Sequence, residues 1–398
     1  MSGPTVRLSH WRRYPADPAD WFDRAEVERG RAYNRPVNRL KIVRSVLGVA
    51  LLVAFIAGDG GHRVIDWLDV SGWALQVIVV LLAVELLSLL YNPWFNAWRT
   101  LVHDRRWGLS NQTFRGWLLD EVKELLVGLV VSVLLLVPLW AVIRATDLWW
   151  LYGWAIFSFF TVAFGFLWPV LIAPIFNKFT PLEDEELAGR IHDVADRAGL
   201  DISAVLVADA SRRSTVTNAY VAGLGRTRRV VLFDTILEWP REPIEQVVAH
   251  ELGHWRHAHL RRKVPVLIAA QLVMFVVAWL VLKWDPILDW AGVDSIEDPA
   301  ALPLFLLVFP ASFLLTGLGS AWLSRADERQ ADLHALEVAG RPEAMIDVFR
   351  RLAADHKADV DPSWYRRLQA QHPPLAERMA MAAAWRDVTR SDGGSAGP

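Results

Sequence analysis

Two histidines spaced four apart, in His250-Glu251-Leu252-Gly253-His254, are the side chains of this chain best suited to chemistry. On a helix that spacing puts both imidazoles on one face, where they can grip a single metal ion. Glu251, adjacent to the first ligand, then comes within reach of a water polarised by that ion. This is the signature of a zinc peptidase. A catalytic zinc site normally takes three protein ligands and keeps one position open, so a further carboxylate or imidazole is required from another element. Glu328, in Ser324-Arg325-Ala326-Asp327-Glu328-Arg329-Gln330-Ala331-Asp332, is the best candidate. Asp332 lies one helical turn later on the same face and can accept a hydrogen bond from the outer N–H of a ligand histidine. By spacing alone, a solvated charged helix face accounts for Glu328 and Asp332 equally well. Gly253, inside an otherwise apolar helix, points to close packing against a neighbour.

The elements that must hold these groups are unusually apolar. Of the 398 residues 53% are hydrophobic, and the mean hydropathy is +0.23. A membrane-spanning helix needs about 20 mostly apolar residues, and runs of that kind fall at 45–58 (extendable upstream), 73–92, 123–143, 148–172, 264–283 and 302–322. Any one of them alone would pass for a buried helix of a soluble protein. As a set, several rimmed by tryptophan, they indicate bilayer spans. The expected fold is therefore mainly α, a polytopic membrane protein of about six transmembrane helices with a zincin-like α+β catalytic insert. Residues 1–44 form a basic N-terminal segment with no signal-peptide core. Residues 45–172 hold four spans and a loop at 93–122, residues 173–263 the insert with the motif helix, and 264–322 two more spans. Residues 323–390 complete the catalytic part, and 391–398 read as a disordered tail.

Within the insert, Glu183 to Leu200 reads as an amphipathic helix burying Leu187, Ile191 and Val194, and 204–208 as a strand. Thr215 to Ala222 and Arg228 to Phe233 flank a Gly-containing turn and read as a hairpin. The motif helix is expected from Pro243 to His259. His257 and His259 then read as interfacial or substrate-contacting side chains.

Charge places the whole in the membrane. The connections at 58–72, 143–147 and 284–301 are poor in Lys and Arg, whereas the N-terminal segment, 93–122, 173–263 and the C-terminal part are rich in both. The positive-inside rule then puts both termini and the motif helix on the cytoplasmic side, as an even number of spans requires. A net charge of −2 gives no basis for a nucleic-acid partner. The lack of cysteine excludes disulfides, thiolate metal sites and cysteine nucleophiles. The excess of Arg over Lys fits a GC-rich bacterial genome, hence a bacterial plasma membrane, with lipid and a peptide or protein substrate as partners.

Several short stretches in a fixed order give the chain a resemblance to the type I CAAX prenyl proteases, integral-membrane zinc metalloendopeptidases. They are Arg31-Ala32-Tyr33-Asn34; Trp107 to Thr113 with Asp120 and Lys123; Pro174 to Leu182; and Thr217-Asn218-Ala219-Tyr220. The motif helix through His259, Ser324-Arg325 with Glu328, Ala331 and Asp332, and His372-Pro373-Pro374 with Glu377 and Arg378 complete the set. The resemblance implies Zn2+ held by His250, His254 and Glu328, with Glu251 as general base. It places Asp332 behind the ligands, His372 in the active site and a barrel-like helical chamber around them. Asn218, Tyr220 and Arg378 become candidates for substrate contact. Eukaryotic members carry an additional span ahead of the Arg31–Asn34 segment, and no apolar run precedes it here. The implied activity resembles removal of the C-terminal tripeptide from prenylated CAAX proteins. A broad-specificity protease for damaged membrane proteins would use the same chemistry. A non-catalytic membrane binding protein would not need the intact His250, Glu251, His254 and Glu328.

Overall fold

A computed structural model describes residues 14, 16–223 and 225–394. Four of its helices are long and apolar enough to cross a bilayer, Arg24–Ala57, Phe114–Ala145, Trp149–Phe176 and His259–Leu282. Two bent pairs, Trp73–Leu89 with Asn92–Arg106 and Pro299–Ser312 with Gly317–Ala339, raise the number to six if each is one span. Their apolar surface lies on the outside. Only 6% of the most apolar window of Arg24–Ala57 is buried, and 22% of that of Phe114–Ala145. Val130, Leu134 and Phe159 are exposed. A water-soluble protein hides such residues, whereas a bilayer solvates them. The six spans expected from composition are thus all present as helices. The first begins much earlier than its apolar run, because Asp23 and Glu26 form a reciprocal capping box at its start. The 45° bend of the last pair follows Pro310, which cannot donate its hydrogen bond to the preceding turn.

The two larger of three apolar cores among the described residues belong to different parts of the molecule. One joins the spans around Leu139, Trp140, Phe275 and Phe305. The other belongs to the catalytic part and buries Leu187, Ile191 and Val194 of the amphipathic helix Glu185–Arg197 against Leu232, Val248, Leu252, Phe349 and Met379. The catalytic part also holds a small sheet of β1 (Phe179–Pro181), β2 (Ala204–Ala208), β3 (Ala219–Ala222) and β4 (Arg229–Phe233). Its order is β1-β2-β4-β3, with β2 parallel to β4 and β3 antiparallel to β4, so β3 is an edge strand. The hairpin expected around Gly223 is the β3–β4 connection, and Gly223 has φ of +94° there. The stretch read as a disordered tail begins at Ser391. The last helix, Leu375–Gly394, continues into it, and residues 395–398 lie outside the described residues.

The segment Arg31–Asn34 acts as a latch. Arg31 pairs with Asp361 at 2.5 Å, Asn34 donates to the carbonyl of Lys357 at 2.7 Å, and Tyr33 donates to Asp104 at 2.8 Å. The first helix is thereby bound to the C-terminal catalytic part. Gly30 permits the approach, since a Cβ there would stand 2.1 Å from the carbonyl oxygen of Ala358. Gly30→Ala is expected to cost about 1–3 kcal/mol through overpacking against backbone. Gly128→Ala, in an open position of Phe114–Ala145, should be neutral or stabilising. Thermal unfolding in detergent compares the two; equal melting temperatures would refute the latch.

Candidate active site

The motif helix, Arg241–Arg256, and the long helix Leu302–Ala339 pack directly on each other. Gly253 sets their spacing. A Cβ at that position would meet Ala331 Cα at 3.1 Å and its carbonyl oxygen at 3.2 Å. The close approach inferred from a glycine inside an apolar helix is therefore onto the element that carries Glu328.

Across this contact His250, His254 and Glu328 each offer one atom to a common point. The two Nε2 atoms are 3.2 Å apart; that of His250 lies 3.4 Å from Glu328 Oε2 and that of His254 lies 3.4 Å from Glu328 Oε1. A tetrahedral zinc ion with bonds of about 2.0–2.1 Å holds its donors roughly 3.3–3.4 Å apart. The triangle has that size before any ion is considered, and among the described residues it is the one His/Asp/Glu cluster able to hold a metal. Both imidazoles present Nε2, which leaves Nδ1 free to be oriented from behind.

The groups behind the two histidines differ. His250 Nδ1 faces Asp332 Oδ1 at 2.8 Å. Asp332 is fully buried and receives two hydrogen bonds from Arg378, at 2.7 and 2.6 Å, so its charge is balanced. Burial alone would lower the proton affinity of His250, but Asp332 and Glu328 override it and push the pKa up to about 10. The spot favours a cation, and proton and metal compete for the same nitrogen. His254 shifts the other way, lowered chiefly by burial.

Glu251 is half-buried, and its carboxylate makes no hydrogen bond or ion pair with the described residues. Burial raises its pKa above the usual carboxylate range, opposed by the neighbouring His250. It lines a cavity of about 410 Å³ together with His250, Glu328 and His372. His372 is largely exposed, with Nδ1 2.8 Å from Glu328 Oε2. One wall of the cavity is apolar, built by Met345, Val348, Phe349 and Leu352 of the helix Pro342–Asp355. The i, i+3, i+4, i+7 spacing of these four residues is the signal for this wall in the sequence.

The residues expected at the substrate separate. Asn218 is exposed at the start of the edge strand and lines both this cavity and a larger one of about 860 Å³. Tyr220 lines only the larger cavity, whose opposite wall is Gly165 to Phe176 at the end of a span. Arg378 borders the cleft, but it is buried and its guanidinium is committed to Asp332. His259 departs from expectation. The motif helix stops at Arg256 rather than His259, and Ala258 takes φ 53° and ψ 38°. This reversal turns His259 inward to 2% exposure, 2.8 Å from His254, not outward to lipid or substrate.

Comparison with known proteins agrees with this geometry. The family description "CAAX prenyl protease N-terminal, five membrane helices" matches residues 6–178, and "Peptidase family M48" matches residues 181–386. The described part of the first region contains four spans, counting the bent pair as one. The chain is 30% identical to the CAAX prenyl protease 1 homolog of Arabidopsis thaliana, over 78% of this chain and 74% of that protein. It is 28% identical to the metalloprotease YhfN of Bacillus subtilis, over 96% of this chain and 91% of that one. The crystal structure of S. mikatae Ste24p superposes with a TM-score of 0.80 at 25% identity, covering 94% of this chain and 91% of that chain.

Proposed function

The chain belongs to peptidase family M48, and from that premise we propose that this integral-membrane metalloprotease is a zinc endopeptidase acting on CAAX-type C-terminal peptides. The observation that carries the proposal is the donor triangle of His250, His254 and Glu328, already at zinc spacing and lined up beside an unpaired Glu251. A zinc ion held there supplies Lewis-acid polarisation of the scissile carbonyl and a lower pKa for water.

The protein groups divide the remaining work. Glu251, with its proton affinity raised by burial, takes a proton from the attacking water and returns it to the leaving amine nitrogen as the C–N bond breaks. His372, exposed at the cleft, donates a hydrogen bond to the oxygen that gains charge as the water adds. Substrate backbone extends the sheet at β3, with Asn218 fixing its register. Asp332 holds the His250 ring, and Arg378 holds Asp332. The apolar cavity beside Tyr220 suits the hydrocarbon part of a modified substrate. The many Lys and Arg of the catalytic insert, against few in the connections 58–72, 143–147 and 284–301, support a cytoplasmic orientation for this face.

Purified protein offered a farnesylated C-terminal peptide and an unfolded membrane protein, with products read by mass spectrometry, tests the reading. Release of the C-terminal tripeptide, abolished by a chelator and restored by Zn2+, is the expected result. Exclusive cleavage of the unfolded protein would replace CAAX processing with quality control. No chelator-sensitive cleavage of either would remove the metal from the reaction.

A further inference from the structure

We propose that His259 is a positioning residue for His254, and that Gln330 and His257 continue its support as a hydrogen-bonded chain of fixed polarity. The inference rests on His254 being a metal ligand through Nε2. Behind that ring, Nδ1 lies 2.8 Å from Nδ1 of His259. Nε2 of His259 lies 3.0 Å from Oε1 of Gln330, and Nε2 of Gln330 lies 3.0 Å from Nδ1 of His257.

One proton arrangement satisfies all three contacts. A neutral imidazole that gives its Nε2 lone pair to a metal carries its hydrogen on Nδ1. His254 therefore donates, and His259 accepts at Nδ1 and carries its own hydrogen on Nε2. That hydrogen goes to the Gln330 carbonyl oxygen, and the Gln330 amide donates to His257. Flipping the amide would force a hydrogen onto Nδ1 of His259 and set two donors against each other across 2.8 Å. The nearest carboxylate does not compete. Asp327 is 3.9 Å from His259 and is held by Arg262 and by Lys263 at 3.7 Å.

The backbone is bent to make this contact. On an uninterrupted helix, residues 254 and 259 would be about 140° apart around the axis. The left-handed conformation at Ala258, which residues other than glycine seldom adopt, folds His259 back toward His254. The site thus steadies its two imidazoles differently, His250 with a carboxylate and His254 with a neutral ring.

Titrating detergent-purified, metal-depleted protein with Zn2+ against a competing chelator, and with Co2+ by its visible absorption, tests the chain. His259→Ala should weaken Zn2+ binding about 10–100-fold and shift the Co2+ bands. It should lower kcat with little change in KM. His259→Asn keeps an acceptor oxygen at the position of Nδ1 and should restore most of the affinity and the spectrum. Gln330→Met, which removes only the link between the two rings, should weaken binding by a smaller factor. Wild-type affinity and spectrum in His259→Ala, or an Asn variant as weak as Ala, would overturn the proposal. If neither His259 variant folds, unchanged affinity in Gln330→Met overturns it and weakened affinity supports it. Failure of the underlying metal reading looks different: His254→Ala would then bind Co2+ as the wild type does.

Discussion

Glu251→Gln should leave the protein folded and metal-loaded and reduce kcat by about 10²–10⁴-fold, the range that a lost general base typically costs. Glutamine keeps the shape and the hydrogen-bonding oxygen of the side chain but cannot take up a proton at neutral pH. The metal should remain because Glu251 contributes no atom to the donor triangle. Stability should change little, since the carboxylate has no partner to lose among the described residues. KM should stay near its wild-type value, because a group that acts through proton transfer contributes to the transition state and not to ground-state binding. Single-turnover cleavage and metal content, measured on one preparation, separate the possibilities. Activity within a few-fold of wild type would exclude Glu251 as the base, whereas loss of metal would assign it to the ligand set.

Why was this part of the site readable from residues alone? Helical periodicity fixes the side chains at i and i+4 whatever else the protein does, so His250 and His254 declare a shared face. Glu328 needed the chemical argument that two imidazoles are insufficient, together with Asp332 one turn further along. The spans were readable for an equally general reason: a bilayer requires long apolar runs, and six were present. The stretches far from His250 and His254 that carry the family resemblance acquire a meaning only in three dimensions. Arg31 and Asn34 reach residues 361 and 357, and Asn111 accepts a place beside Arg213, its N–H bonded to that carbonyl at 3.0 Å. They tie the first helix to the C-terminal catalytic part and the 93–122 loop to the insert.

What could not be read was set by contacts between distant residues. Alanine is the best helix former, so nothing at position 258 announces that the motif helix ends there. The left-handed conformation there moves His259 from the expected interface to the back of the His254 ring. Arg378 presents the same problem. An arginine near a peptidase site reads as a hand for substrate, and its partner Asp332, 46 residues away, is invisible to local spacing. The apolar wall of the cleft lay between these cases. Its four residues show helical periodicity, but the face they present is known only once Phe349 is seen under the Arg378 guanidinium, 4.4 Å from the ring centre.

That Arg378–Asp332 pair carries the largest expected effect on stability. Asp332→Ala should destabilise the protein by about 3–5 kcal/mol, because it leaves a guanidinium buried without its bidentate partner. The remaining carboxylate, Glu328 at 3.7 Å, is already directed at His250 and His254 and cannot replace it. The same change removes the group behind His250 and should weaken metal binding about 10–100-fold. The two effects can be parted. In Asp332→Ala combined with Arg378→Met, no charge is left stranded and the methionine still packs on Phe349, so most of the stability should return. Metal affinity should not return, since His250 still has nothing to hold its ring. Thermal unfolding of the metal-depleted protein reads the first quantity, and Zn2+ competition reads the second. A double variant as unstable as the single one would show that the stranded charge is not the cause. Recovery of affinity along with stability would mean that Asp332 serves the fold and not the ligand.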